Sequence, residues 1–319
     1  MPDTASYAWA NGLMNSIVGN IEQVMYGKRN VIRLVVATLA AEGHVLLEDV
    51  PGTGKTSLAA ALASSVNCYF RRIQFTPDVM PSDISGFSIY NQKTNDFEFR
   101  PGAVMANIVL ADEINRASPK TQSALLEAME EAQVTVDGET HTLAQPFFVI
   151  ATQNPIEQYG TYPLPEAQVD RFMCQLSIGY PARESELKIL RRDADAKANL
   201  RPVTTAIDIL RLREVTRTVK ASDDVCEYIL NIVEATRTSR DLALGSSPRG
   251  GLATLALARA WALIKGRSYV VPDDIRELAP YTLRHRLILS AEAHARGKTA
   301  SGVFDSILSG VHIPLGPTR

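Results

Sequence analysis

The stretch Leu46-Leu47-Glu48-Asp49-Val50-Pro51-Gly52-Thr53-Gly54-Lys55-Thr56-Ser57 constrains this chain more than any other. It puts a glycine-rich turn where a short apolar strand should hand over to a helix. Glycines let the backbone curl so that successive N–H groups face one anion, and the helix that follows adds its positive end. In such a loop Lys55 reaches the outer phosphates of a nucleotide and the Thr56 hydroxyl holds Mg2+. Pro51, Gly52, Thr53, Gly54 and Ser57 complete the nucleotide-binding set. Asp49 stands where the pattern G-x-x-x-x-G-K-[ST] has its first glycine, but the segment closest to the phosphates, Gly52 to Thr56, is intact. The competing reading is a glycine-rich turn ahead of an ordinary helix, and the order of elements around the loop speaks against it.

Those elements alternate. Strand candidates are His44–Glu48, Tyr69–Phe75, Ile108–Asp112, Phe147–Thr152 and Met173–Ile178, separated by helical patterns. This alternation predicts a parallel sheet with helices on its faces. Continuous apolar runs such as Ile108-Val109-Leu110-Ala111 suit strands covered on both sides. Phe87–Tyr90 with Glu98–Arg100, and Val134–Val136 with Thr140–Leu143, read as hairpins, the second turning on Asp137-Gly138. After Tyr180-Pro181 the pattern turns helical through Leu187, Leu190, Val225, Ile229, Ile232, Val233, Leu252, Leu255, Trp261 and Leu263. The expected organisation is an α/β domain over residues 1–180, with an N-terminal helical segment and two hairpin insertions, and a helical domain over 181–319.

A second motif supplies a metal and a water. Ile108-Val109-Leu110-Ala111-Asp112-Glu113 is an apolar strand ending in two carboxylates beside the loop. Asp112 is expected to hold the hydrated Mg2+ and Glu113 to orient or deprotonate the attacking water. Successive strand residues point to opposite faces, so the two need different jobs unless the strand bends at its end.

Composition bounds the partners. Lys plus Arg is 33 and Asp plus Glu 35, a net charge of −2, which gives no global drive toward nucleic acid or an anionic membrane. Cys68, Cys174 and Cys226 are scattered and form no CxxC pair, arguing for free thiols in a reducing cytoplasm rather than disulfides or zinc. No Lys or Arg precedes Lys28, so a basic signal-peptide start is missing, and the longest apolar stretch, Gly251 to Ile264, is too short to span a bilayer. A cytoplasmic location is expected.

Several blocks together resemble the MoxR family of AAA+ ATPases, the helix-2-insert type related to magnesium-chelatase ATPase subunits. They are Gly52–Thr56, Leu110–Ala117, Lys120–Glu131, Ala151-Thr152-Gln153-Asn154-Pro155 and Leu164-Pro165-Glu166-Ala167-Gln168-Val169-Asp170-Arg171-Phe172. The resemblance runs from about Tyr26 to the end. It implies an AAA+ P-loop core with a C-terminal helical lid, and a non-glycine residue at position 49 is common in the family. It further implies roles that spacing does not give. Asn154 matches the polar residue that positions the nucleophilic water. Arg171 matches the arginine finger that enters the neighbouring subunit's nucleotide. Arg249 matches the sensor 2 arginine, expected to reach back across the domain boundary to the γ-phosphate. Tyr26-Gly27 resembles the segment lining the adenine pocket, and Arg116 reads either as a second contact in trans or as a solvated charge. The hairpins match insertions on the pore face, where Phe87 and Tyr90 either touch a substrate protein or pack the insertion.

The function implied is Mg2+-dependent ATP hydrolysis by a homo-oligomeric, hexameric ring with a chaperone-like role. It would remodel, mature or insert metal into a protein client, with a client or adaptor carrying a von Willebrand factor A domain. A DNA-directed motor and a magnesium-chelatase-like subunit are the alternatives; near-neutral charge and the lack of an appended DNA-binding motif disfavour the first.

Overall fold

The structure is a computed structural model and describes residues 4–155, 160–191 and 200–314. Helices α1 (Thr4–Glu22) and α2 (Arg29–Ala40) precede strand β1 (Val45–Glu48), which feeds α3 (Lys55–Ser65). β2 (Phe70–Gln74) and the short α4 (Pro81–Ser85) lead into a hairpin of β3 (Gly86–Asn91) and β4 (Asp96–Pro101). β5 (Ile108–Asp112) and α5 (Pro119–Glu131) are followed by a second hairpin, β6 (Gln133–Val136) and β7 (Glu139–Thr142). β8 (Phe148–Gln153), α6 (Glu166–Val169) and β9 (Cys174–Leu176) close this part. The remainder holds α7 (Arg183–Leu190), α8 (Ala206–Arg217), α9 (Asp223–Thr238), β10 (Leu242–Leu244), α10 (Pro248–Ile264) and α11 (Pro272–Leu283). β11 (Ile288–Leu289), α12 (Ala291–Ala295) and α13 (Ala300–Gly310) follow.

The expected parallel sheet forms, in the order β2-β5-β8-β1-β9. β5 is buried along its whole length, which is why its sequence reads as an unbroken apolar run. Register aligns Gln74 with Asp112 and Glu48 with Gln153, so the polar ends of four strands share one rim of the sheet. The hairpins form where expected. Asp137 and Gly138 both take positive φ, 51° and 86°, as a two-residue turn matching strand twist requires. His141 of the second hairpin stacks on Phe99 of the first, with ring centroids 3.8 Å apart and planes 9° apart, which joins the two insertions.

One hydrophobic cluster covers a sheet face and continues through α1, α2 and α3 into α8, α9, α10 and α11. α1 is the bridge: it packs on α2 and α3 on one side and α8 and α10 on the other. Asn11 Nδ2 donates to the carbonyls of Leu263 (2.8 Å) and Ile264 (3.1 Å) at the end of α10. Two parts of the helical pattern differ from expectation. α7 forms but buries none of its residues, with Leu190 77% exposed, and Leu252 on α10 is 68% exposed. These side chains satisfy a helical period without a core to face in this chain. Among the described residues all three cysteines are free thiols, and no helix is long and apolar enough to cross a membrane.

Two buried histidines set a pH limit on stability. His44 Nδ1 accepts from the Val149 amide (3.0 Å), which leaves Nε2–H to donate to Met129 O (3.3 Å). Burial lowers its pKa to about 4, and burial with the adjacent Arg286 lowers that of His285 to about 3. Above the ordinary value of 6.5 both folded and unfolded forms are neutral and stability is complete. As pH falls below that value the unfolded chain takes up protons that the folded chain refuses, so stability is lost. For His44 the loss should run at up to about 1.4 kcal/mol per pH unit until pH nears its folded pKa. Melting temperatures read across this range for the wild type and His44→Gln should show the steeper decline in the wild type.

Candidate functional site

The phosphate loop is built by glycine. Gly52 and Gly54 take φ of 86° and 94°, conformations closed to most side chains, and a Cβ on Gly52 would meet nothing within 4 Å. Gly54 is the N-cap of α3 and gives no side-chain cap, so the amides of the first helical turn are left for another acceptor. Thr53 and Lys55 are buried while Pro51, Gly52 and Thr56 are exposed, an arrangement that opens one side of the loop. The Lys55 ammonium donates to the carbonyls of Asp49 (2.8 Å) and Val50 (3.3 Å) of its own loop. An ammonium beside unshared amides fits a triphosphate, which would replace those carbonyls as its partner. Losing one charge-assisted contact, about 1.5–3 kcal/mol, predicts that Lys55→Ala lowers ATP affinity about 10- to 100-fold. Calorimetric titration with ATP checks this.

Asp49, the departure from the glycine pattern, faces away from the loop's mouth. Its carboxylate accepts from the Ile178 amide, the Gly179 amide (3.1 Å) and Ser177 Oγ (3.3 Å). Lys28 grips the same segment from the other side, donating to Ile178 O (2.5 Å) and Tyr180 O (2.8 Å). The strand-to-helix connection before α7 is therefore pinned to the phosphate loop. Tyr26-Gly27 lies at this junction. The neighbouring Met25 reaches toward Gly54, and a side chain on Gly27 (φ 71°) would run within 2.5 Å of Ser185 Oγ on α7.

The two rim carboxylates are separated by a bend. Glu113 takes φ 57°, ψ 50°, a left-handed conformation that costs a non-glycine residue on the order of 1 kcal/mol. Thr152 holds the bend from β8: its Oγ1 donates to Asp112 Oδ1 (2.7 Å) and accepts from the Glu113 amide (2.8 Å). Asp112 Oδ2 accepts from Arg72 Nη2 (2.7 Å) and Nε (3.1 Å). Glu113 Oε2 accepts from Gln74 Nε2 (2.9 Å) and Arg116 Nη1 (3.1 Å). Arg116 is thus engaged by a carboxylate of its own chain. Asn154 is buried one residue past β8, and the Asp49 amide donates to Gln153 O (3.1 Å) beside it. An oxygen-rich rim beside the loop suits hydrated Mg2+, a hard cation that takes carboxylate and hydroxyl oxygens.

Arg171 and Arg249 lie together and elsewhere. Glu130, on the last turn of α5, receives Arg171 Nη2 on one oxygen (2.9 Å) and Arg249 Nη2 on the other (2.6 Å). Arg171 Nη1 also donates to Leu126 O (2.7 Å). The two arginines line a cleft of about 300 Å3 with Glu130, Leu252 and Arg286, and none of its lining residues belongs to the phosphate loop. Arg249, expected to reach back to the γ-phosphate, here donates to Glu130 of α5. The helix carrying it, α10, delivers it beside Arg171, where one carboxylate pairs with both guanidiniums and leaves a net positive charge. The hairpin aromatics also divide. Phe87 and Tyr90 are both exposed but sit three residues apart on one strand, hence on opposite faces, and Tyr90 packs edge-on against Phe97 at 5.4 Å.

Arg72, Gln74, Thr152 and Glu130 escaped the sequence reading. Arg72 and Gln74 carry a faint signal, two polar residues one strand period apart on the face that meets the rim. On an edge strand that pattern is indistinguishable from ordinary solvation. Thr152 and Glu130 carry none, because their partners are at least 39 and 41 residues away in sequence.

Comparison with known proteins agrees with this geometry. Residues 44–174 match the model of the "ATPase family associated with various cellular activities (AAA)", and residues 234–307 match an AAA lid domain. An uncharacterised Bacillus subtilis protein, YeaC, is 53% identical over 305 residues, 95% of each chain. Chaperone MoxR1 of Mycobacterium tuberculosis is 41% identical over 303 residues, 92% of this chain and 80% of the relative. A crystal structure of a protein from Cytophaga hutchinsonii described as an ATPase superposes with a TM-score of 0.90 at 39% identity, over 98% of both chains.

Proposed function

The chain belongs to the MoxR family of AAA ATPases, and from that footing we propose that its subunits form a hexameric ring in which each hydrolyses ATP at a site completed by its neighbour, driving the remodelling or maturation of a protein client. The observation that carries this reading is the pairing of Arg171 and Arg249 on Glu130, apart from the loop that binds their own chain's nucleotide. Two guanidiniums held at one surface by a single carboxylate are a cationic pair suited to a neighbour's phosphates, which accept planar bidentate donors.

Within one site, Gly52 to Thr56 hold the phosphates by backbone amides and Lys55 leaves its loop carbonyls for the outer phosphate oxygens. Thr56 and Asp112 would hold Mg2+, whose charge neutralises the phosphate oxygens when it is bound. Arg72 then yields its place on Asp112. Glu113, fixed by Gln74 and Arg116, takes the proton of a water that Asn154 orients, and Arg171 with Arg249 stabilises the charge spreading over the transferring group. We assign residues 1–180 to the nucleotide-binding core and 181–319 to the lid, with Tyr180-Pro181 as the junction. The matched AAA and lid segments, 44–174 and 234–307, support that division.

The joined hairpins are assigned to client contact, with exposed Phe87 and Ile89 on one face of the first hairpin and Tyr90 with Phe97 on the other as its apolar surfaces. A net charge of −2 favours a protein over nucleic acid as client. The family resemblance adds an adaptor or client with a von Willebrand factor A domain, and metal insertion as one form of maturation. Sites completed in trans require the ATPase rate per subunit to rise with protein concentration and to collapse on dilution below assembly. Mass photometry run beside the assay reports ring size. A constant rate per subunit down to the monomer overturns the reading.

A further inference from the structure

We propose that Arg286, on the helical side, is the positioning residue that sets the backbone carrying Arg171, so that the lid fixes where the finger is presented. The inference rests on the trans role assigned to Arg171 above. Arg286 ends the 3₁₀ turn after α11 and is 5% exposed. Its Nη1 donates to Asp170 O (2.7 Å) and to the Asp170 carboxylate, and its Nη2 donates to Phe172 O (2.8 Å). Its Nε is anchored to Thr282 O of α11 (2.7 Å). One planar guanidinium therefore brackets Arg171, taking the carbonyl before it and the carbonyl after it. His285 adds to the bracket: its Nε2 lies 3.2 Å from Phe172 O, and the ring, kept neutral by burial, donates there.

The same bracket extends to Arg249. The Asp170 carboxylate accepts from Ser247 Oγ at 3.1 and 3.3 Å, and Ser247 is the N-cap residue of α10, two residues before Arg249. Asp170 is thus shared between a lid helix end and a lid guanidinium, while its chain neighbour Arg171 points into the cleft. A displacement of α10 or α11 must carry the Asp170–Phe172 backbone with it or leave buried Arg286 without its acceptors, which is costly. Lysine is a point donor and cannot span two carbonyls and a carboxylate.

The test uses Arg286→Lys, with Asp170→Asn as a second, isosteric variant should the first lose its fold by thermal melting. A finger displaced by about 1 Å is expected to lower kcat on the order of 10²-fold, with KM for ATP unchanged within about twofold. Each variant is then mixed with Glu113→Gln subunits, which keep a sound finger but cannot hydrolyse. In randomly mixed 1:1 rings half the sites retain Glu113 and half of those face an intact finger, so recovery to about a quarter of the wild-type rate is expected. Arg171→Ala mixed in the same way is the reference. If that reference recovers and the Arg286 and Asp170 variants do not, or if both variants alone keep wild-type kcat, the positioning role is wrong while the trans finger stands. If the reference fails to recover in rings of verified composition, the trans reading itself falls and this inference falls with it.

Discussion

Arg171→Ala is expected to lower kcat by about 10³–10⁵-fold while leaving the affinity for ATP within a few fold of the wild type. The size follows from the charge developed in phosphoryl transfer, which a guanidinium in trans stabilises by about 4–7 kcal/mol when the site is closed to water. The selectivity follows from position. Arg171 touches Leu126 and Glu130 and no residue of its own phosphate loop, so its removal leaves that loop's amides, Lys55 and Thr56 intact. Steady-state kinetics paired with equilibrium nucleotide binding separates the two quantities. A parallel loss of affinity and rate would show that Arg171 serves its own subunit's ground state.

Glu113→Gln should cost about 10²–10⁴-fold in turnover, the usual worth of a positioned general base, and again spare ATP binding. The substitution is sterically neutral at a demanding spot. The left-handed backbone at Glu113 is held by Thr152 and by the 3₁₀ turn Ile114–Arg116, neither of which depends on the carboxylate. An amide keeps an oxygen for Arg116, so the side chain should stay in place and lose only its basicity. A variant that binds ATP yet retains more than about a tenth of wild-type turnover would remove Glu113 from the base role, since that leaves less than the weakest such effect. Such binding-competent, slow subunits are also what the mixing experiment needs.

How much of this could be read from the chain itself depends on the range of the interaction involved. β5 was legible to the residue because both of its faces are buried, so its composition is dictated by the sheet on either side. The Asp137-Gly138 turn was legible because only a few residue types accept two successive positive φ values. The phosphate loop was legible for the same local reason. The bend at Glu113 was not, since it is imposed by Thr152 from a strand 39 residues away and glutamate has no preference for it. Arg249 was legible as the start of a helix but its pairing with Glu130 was not, because the direction of α10 is set by packing against α2, α9 and α11. Leu187, Leu190 and Leu252 show the converse. A period of 3.6 says that a face is apolar without saying whether its cover lies in the same chain.

The bridging position of α1 bears on how the molecule comes apart. Because one cluster passes through α1 and α2 into α8 and α10, the two halves share that interior, while a second cluster on the other sheet face lies wholly before residue 180. A fragment truncated after residue 180 would strip the cover from Met14, Ile17 and Leu34 and should aggregate rather than persist as a stable module. Heat or urea should accordingly melt the polypeptide in one cooperative transition, however freely its peripheral helices tilt during turnover.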